Sequence, residues 1–355
     1  MANSFKTLLP EDIATTRTLL HEAIPITGTI VSGTYNANNI KEYAHGMFQT
    51  VYDYPYLSSS ANHIFDITWG YASGTALNSS AHQQNTKKVN IYNQMAMVLN
   101  NTDINGDIKA FDRNGSEDTD DNDDMNECCF ISFARLLNKD EIKKQSFELK
   151  TFSSNATAGP ILPKDRGTLL TISDYNAQDV YKTNSPSGEY GLLYTSSTGI
   201  GEESPVGHVY YQAGIVVLTA SIFTGKFGAG RITTGSIQPT GSVDELLQQG
   251  TINNLCDGLR FTLNNVQFNN TTELNSTIYF ARAQNTEFNY SSNSTYISAS
   301  QIRVKGNNPA ADPVAYITSV GMYSPDNELL AVAKLSEPLK KTPSNEITLR
   351  VRLDY

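Results

Sequence analysis

The chain ends on a strict alternation, in which Ile347, Leu349, Val351, Leu353 and Tyr355 are separated by Thr348, Arg350, Arg352 and Asp354. Only extended backbone sends successive side chains to opposite sides, so this spacing predicts a terminal strand with one apolar face. The run "IFDITWGY" repeats the pattern, with Phe65, Ile67, Trp69 and Tyr71 on one face and Asp66 and Thr68 on the other, as in a half-buried strand. Nearer the end, "YITSVGMY" and "LLAVAKL" flank "SPDN", which sets Pro325 at the second position of a type I turn, where its fixed φ fits. An antiparallel meander over residues 314–355 is expected. The run "HVYYQAGIVVLTASIF" is too rich in Val, Ile, Thr and Tyr for a comfortable helix and reads as one or two central strands.

Helical periodicity is scarcer. Ile40, Tyr43, Ala44, Met47, Phe48 and Val51 recur at 3.6 residues, and so do Val89, Tyr92, Met95, Ala96 and Leu99. Ser242, Asp244 and Glu245 precede Leu246 and Leu247 as a capping-box sequence, predicting a short helix that ends at Gly250. A weaker helical stretch covers residues 11–23. The expected class is therefore α+β and β-rich: antiparallel, sandwich-like sheets with a few short helices, mainly in the N-terminal third. Residues 1–152 are expected to form an N-terminal α+β region, and residues 153–355 a β-rich one. Linker candidates are residues 153–163, residues 224–242 and an acidic loop at 112–127.

A chain of 355 residues with 39% hydrophobic residues has ample material for a buried core. Its net charge of −10 and scattered lysines argue against a phosphate-neutralising surface, so nucleic acid is not an expected partner. Residues 1–20 lack the basic-then-apolar order of a signal peptide, and no apolar run is long enough to span a bilayer. A soluble protein made in a cytoplasm, without membrane insertion, is expected. Cys128, Cys129 and Cys256 fit neither a disulfide framework nor a zinc motif and read as small buried hydrophobes.

The acidic stretch "DRNGSEDTDDNDDMNECC" is the first place to seek chemistry. Read as an EF-hand loop from Asp118, it puts Asp123 where the turn glycine belongs and Cys129 where the bidentate Glu belongs. Read from Asp103, it puts Ile108 and Asn114 there. Both registers fail, which leaves Asp118, Asp120, Asp121, Asp123 and Asp124 as weak calcium candidates beside the simpler reading of a solvated hairpin tip. The five histidines are never at ligand spacing, "GKFGAG" lacks the Walker ending, and no serine sits in a G-x-S-x-G elbow. No cofactor and no catalytic residue are expected. Tyrosine brings contact area with few rotatable bonds, which makes Tyr52, Tyr54, Tyr56, Tyr290 and Tyr296 interface candidates. Arg350, Arg352 and Tyr355 join them as a strand that can pair at a sheet edge.

Several blocks spread in order over most of the chain carry a family resemblance. They are "FQTVYDYPYLSSSANHIFDITWGY", "KKVNIYNQMAMVL", "CCFISFARLLNKDEIKKQSFEL", "NSPSGEYGLLYTSS", "YYQAGIVVLTASIF", "FARAQNTEFNYSSNSTYI" and "YITSVGMYSPDNELLAVAKLSEPLKK". Together they resemble a virion structural protein of T4-like myoviruses, especially those infecting cyanobacteria. The resemblance implies a non-enzymatic, multimeric subunit of the contractile tail, in the baseplate or its wedges, with other phage tail and baseplate proteins as partners. It would be synthesised in the bacterial cytoplasm and reside in the virion. The alternatives are a host-surface glycan recognition module of the tail, and a neck- or head-associated structural protein.

Overall fold

The structure is a computed structural model that describes residues 5–24, 37–75, 77–116, 123–152, 169–196, 205–223, 243–289, 297–298, 301–302 and 312–355. Of the described residues, strands account for 47% and helices for 17%, which makes the fold β-rich, with antiparallel sheets and few helices. The chain runs through β1 (Ile13–Ile24), β2 (Ile40–Glu42), β3 (Gln49–Tyr52), β4 (His63–Tyr71), α1 (Asn85–Leu99), β5 (Phe111–Asp112), β6 (Asp124–Met125) and β7 (Glu127–Phe133). It continues with α2 (Arg135–Asn138), β8 (Glu141–Ile142), β9 (Glu148–Phe152), β10 (Leu169–Ser173), β11 (Lys182–Ser185), β12 (Gly188–Leu193), β13 (Gly207–Tyr210) and β14 (Ile215–Thr219). After α3 (Val243–Gln249) and α4 (Ile252–Thr262) come β15 (Leu263–Ala283), β16 (Ile297–Ser298), β17 (Gln301–Ile302), β18 (Ala315–Tyr323), β19 (Leu329–Lys341) and β20 (Ile347–Asp354). The helices are therefore not concentrated in the N-terminal third: α3 and α4 lie well beyond it.

Two compact units emerge, Leu20–Thr272 and Met1–Leu19 with Glu273–Tyr355. The larger is built on an eight-stranded sheet in the order β11-β12-β13-β14-β7-β4-β3-β2. "HVYYQAGIVVLTASIF" supplies β13 and β14, two central strands as its composition predicts, with β14 against β7. On β4, Phe65, Ile67, Trp69 and Tyr71 are fully buried and share a face with Phe133, Ile131 and Cys129 of β7. Phe133 packs there against Phe147 and against Phe268 of β15, and the Cys256 thiol of α4 meets the Ile67 carbonyl at 3.3 Å.

The opposite face of β4 is covered too, so the half-buried expectation is corrected. Helix α1 lies so close that a Cβ on Gly70 would stand 2.7 Å from the Lys88 carbonyl oxygen, and Tyr92 packs edge-on against Phe130 of β7. Strands covered on both sides need small or apolar residues on both, which explains Gly70, Thr68 and Phe130 where an exposed sheet would carry charge. All three cysteines are free and buried in this unit, as small hydrophobes. Beside the eight-stranded sheet, β9 pairs with β10 and with the start of β15, so residues on both sides of position 152 share one sheet.

Two expected helices are strands. Residues 11–23 form a short 3-10 turn, Pro10–Asp12, followed by β1, whose threonines and isoleucines favour extended backbone next to β15. Residues 40–51 form the β2–β3 hairpin, in which Ile40 pairs with Val51 and Gly46 turns the chain at φ +61°. The helical period had grouped Ile40 with Val51 correctly, because an eleven-residue separation is three helical turns and also the span of this hairpin. The helices around Val89–Leu99 and Leu246–Leu247 are present as α1 and α3, with the Gly250 amide bonded to the Leu246 carbonyl at 2.9 Å.

In the smaller unit β18 and β19 pair across the turn at Pro325, closed by the Asn327 amide on the Ser324 carbonyl at 3.0 Å. Asn327 takes φ +64°, the left-handed residue that completes a type I turn in a hairpin. The meander stops there: β20 pairs with residues 276–283 of β15, and not with β19.

Candidate interaction surfaces

The hydrophobic core cluster runs from Ile40 to Phe268 and lies wholly within Leu20–Thr272. Among the described residues the smaller unit has no comparable layer, although its strands are rich in apolar residues. Leu329, Leu330 and Val332 of β19 and Tyr316 and Tyr323 of β18 are all exposed, Leu330 at 62%. Phe5 meets Tyr323 edge-on at 5.0 Å and is itself half in solvent. Polar ties run through the same unit. Lys341 at the end of β19 is buried and donates to Asn289 Oδ1 at 2.7 Å, and Lys6 pairs with Glu287 at 2.7 Å. These apolar positions escaped the sequence reading because alternation shows which residues share a face, and not whether anything covers it.

Arg350, Arg352 and Tyr355 lie together on or just after β20. Tyr355 and Asn275 exchange both amide-to-carbonyl bonds, at 2.9 and 3.2 Å, so they form a hydrogen-bonded pair of the ladder. Such pairs alternate along antiparallel strands. From that phase, the main-chain groups of Leu353, Val351, Leu349 and Ile347 point toward β15, and those of Thr348, Arg350, Arg352 and Asp354 point to the other edge. The even-numbered side chains are exposed. Arg352 donates to Asp354 Oδ1 at 2.6 Å and to Ser276 Oγ at 2.9 Å, while Arg350 has no hydrogen bond or ion pair among the described residues.

In the larger unit, Tyr52, Tyr54 and Tyr56 sit on and after β3. The rings of Tyr52 and Tyr56 are 6.4 Å apart, and His63 is 6.0 Å from Tyr52. Asp53 shapes the loop by accepting from the Tyr54 amide at 2.8 Å and the Asn62 amide at 2.6 Å. The result presents Tyr54, Tyr56 and Leu57 to solvent, with Leu57 the most open at 86%. Asp66, beside them, accepts from Thr50 Oγ1 at 2.6 Å and lies 3.2 Å from His63 Nε2. Tyr290 and Tyr296 fall outside the described residues.

The acidic loop is framed as a hairpin, β5 against β6, with Asp112 opposite Asp124. Asp123 accepts from the Asn114 side-chain amide at 2.9 Å. Asp118, Asp120 and Asp121 lie outside the described residues. Among the described residues no group of His, Cys, Asp and Glu converges as a metal site.

Asp174, Lys88 and His208 are titratable groups that the larger unit buries, each tied to backbone. Burial pushes the Asp174 carboxyl up to about 7 against the hydrogen bonds from Tyr211 Oη at 2.9 Å and the amides of Gln145 and Phe147 at 2.7 and 3.0 Å. Burial pushes Lys88 down to about 7, although its ammonium reaches the carbonyls of Gln83, Leu247 and Gly250 at 2.8, 2.5 and 2.6 Å. His208 is pushed down to about 4 by the same cause and keeps Nε2 3.2 Å from the Arg113 carbonyl. Each of these groups joins segments distant in sequence, so they read as fasteners of the core.

Comparison with protein families, with curated proteins and with solved structures finds no match to this chain. Among the described residues no helix is long and apolar enough to cross a membrane.

Proposed function

We propose that the chain is a structural subunit of a phage virion, in the contractile tail or its baseplate, acting through protein–protein contacts with other tail and baseplate proteins. The sequence blocks quoted above supply the virion. The observation that carries the mode of action is the exposed apolar residues of β18 and β19, in a unit that among its described residues contributes none to the hydrophobic core cluster. A two-stranded ribbon is marginal by itself and this one exposes large apolar residues, so it gains most from a partner that covers them. On this reading the smaller unit carries the contact strands. The test is to separate purified particles into heads and tails and quantify peptides of this protein in each by mass spectrometry. Enrichment in tails is expected; enrichment in heads would favour a neck- or head-associated subunit, and absence from particles would overturn the reading.

Recognition of host-surface glycan is the second reading, favoured by the exposed rings of Tyr54 and Tyr56 beside His63 and Asp66. Ring faces next to hydrogen-bonding groups suit a sugar. It requires the isolated protein to bind host cells or lipopolysaccharide.

A further inference from the structure

We propose that the outer edge of β20 is a strand-addition site for a partner strand carrying carboxylates at successive same-face positions, and not for a second copy of this chain. The inference names the partner chemistry of one of the proposed contact strands and rests on the assembly reading.

The backbone makes the edge ready. Among the described strands β20 pairs with β15 alone, without a register shift and without proline. The main-chain groups of Thr348, Arg350, Arg352 and Asp354 point outward, by the phase that Tyr355 and Asn275 set. Strand β19 is different: Pro338 and a register shift between the pairs of Ile317 and Ser319 blunt it against regular pairing. An extended segment laid along β20 gains main-chain hydrogen bonds for affinity, and its side chains meet those of β20 for specificity.

Charge then selects the occupant. Residues directly opposite in a hydrogen-bonded pair share a face, so a partner's residues would stand against Arg350 and Arg352. A second copy docked antiparallel fails in the registers that overlap most. Centred on Arg350, it puts that arginine against itself, and centred on Val351, it puts Arg350 against Arg352. Shifting by one residue instead sets the apolar face of one strand against the charged face of the other. Carboxylates opposite both arginines remove the repulsion. Because Asp354 already accepts from Arg352, Arg350 has the larger unmet charge and a neutral or basic residue suits the place opposite Asp354. The alternating Ile347, Leu349, Val351 and Leu353 are half-buried on the other face, where the partner needs apolar residues.

The experiment uses the full chain and two short peptides, one alternating valine with glutamate and one alternating valine with lysine. Fluorescence anisotropy reads binding, and hydrogen exchange reads protection at Thr348, Arg350 and Arg352. The glutamate peptide is expected to bind and protect those amides, the lysine peptide to do neither, and Arg350→Glu to weaken binding about tenfold by turning attraction into repulsion. Arg350 is exposed without a described partner, so the variant should fold; unchanged melting verifies it. Equal response to both peptides, indifference to Arg350→Glu, or a dimer of the free chain that protects the same amides would overturn the proposal. If the glutamate peptide fails while the protein is still found in tail fractions, only the acidic-strand partner is overturned. Absence from particles instead removes the assembly reading beneath it.

Discussion

Replacing Asp174 with alanine should destabilise the larger unit by about 3 kcal/mol, read as a lower urea midpoint at unchanged slope. The side chain accepts from the Gln145 and Phe147 amides and from Tyr211 Oη in a fully buried place, and alanine leaves all three donors without an acceptor. The same residue sets a pH dependence. Burial raises its folded pKa to about 7, above an ordinary carboxyl, so between about 4 and about 7 the folded state holds a proton that the unfolded state has released. Its contribution is fully present below the unfolded value and is lost as pH rises through about 7. Asp174→Asn stays neutral throughout, so the melting temperature of the native protein should fall relative to that variant from pH 4.5 to 7. A constant difference across that window would contradict the assignment.

Lys88→Met should also cost about 3 kcal/mol near neutrality, because three carbonyls, two of them in buried bonds, lose their donor at once. Those of Leu247 and Gly250 belong to the end of α3 and the residue after it, so hydrogen exchange should quicken first in Val243–Gln249. The sign of the pH effect is opposite to that of Asp174. Burial lowers the folded pKa of Lys88 to about 7, so from about 7 to about 10.4 the unfolded state holds the extra proton and the native protein gains stability as pH rises. Methionine has no such gain, and the deficit of the variant should be larger at pH 9 than at pH 7. Urea titrations of both proteins at the two pH values check it.

These fasteners were invisible in the sequence for a physical reason. Asp174 and Lys88 are ordinary surface residue types, and only long-range packing brings Gln145, Tyr211 or Leu247 to them. What was legible was local. The alternation in β4 and β20, the turn at Pro325 and the helical spacing of α1 each follow from contacts within a few residues. Periodicity misled where two geometries group the same residues, as with Ile40 and Val51. It misled again where threonines and isoleucines of a chain with some helical spacing found a strand neighbour, as in β1. The partner of β20 was not legible, since pairing with β15 joins residues some seventy positions apart while β19 was the nearer choice.

Of the candidate surfaces, Arg350, Arg352 and Tyr355 lie at one exposed strand end, and Tyr52, at the end of β3, lies near Tyr56 of the loop that follows. The apolar ribbon of β18 and β19 was named in the sequence as strands but not as a surface. A pattern of alternating residues carries no information about an absent neighbour, and only solvent exposure in the folded chain separates a core strand from a contact strand.

The most direct measurement compares hydrogen exchange of the free chain with that of the same chain inside isolated tail particles. The account predicts new protection in Ala315–Tyr323, Leu329–Lys341 and Ile347–Asp354, while Gly207–Tyr210 and Ile215–Thr219, buried within the eight-stranded sheet, stay as they are. Unchanged exchange in all three C-terminal strands, with protection confined to the Tyr52–His63 loop or absent, would contradict it.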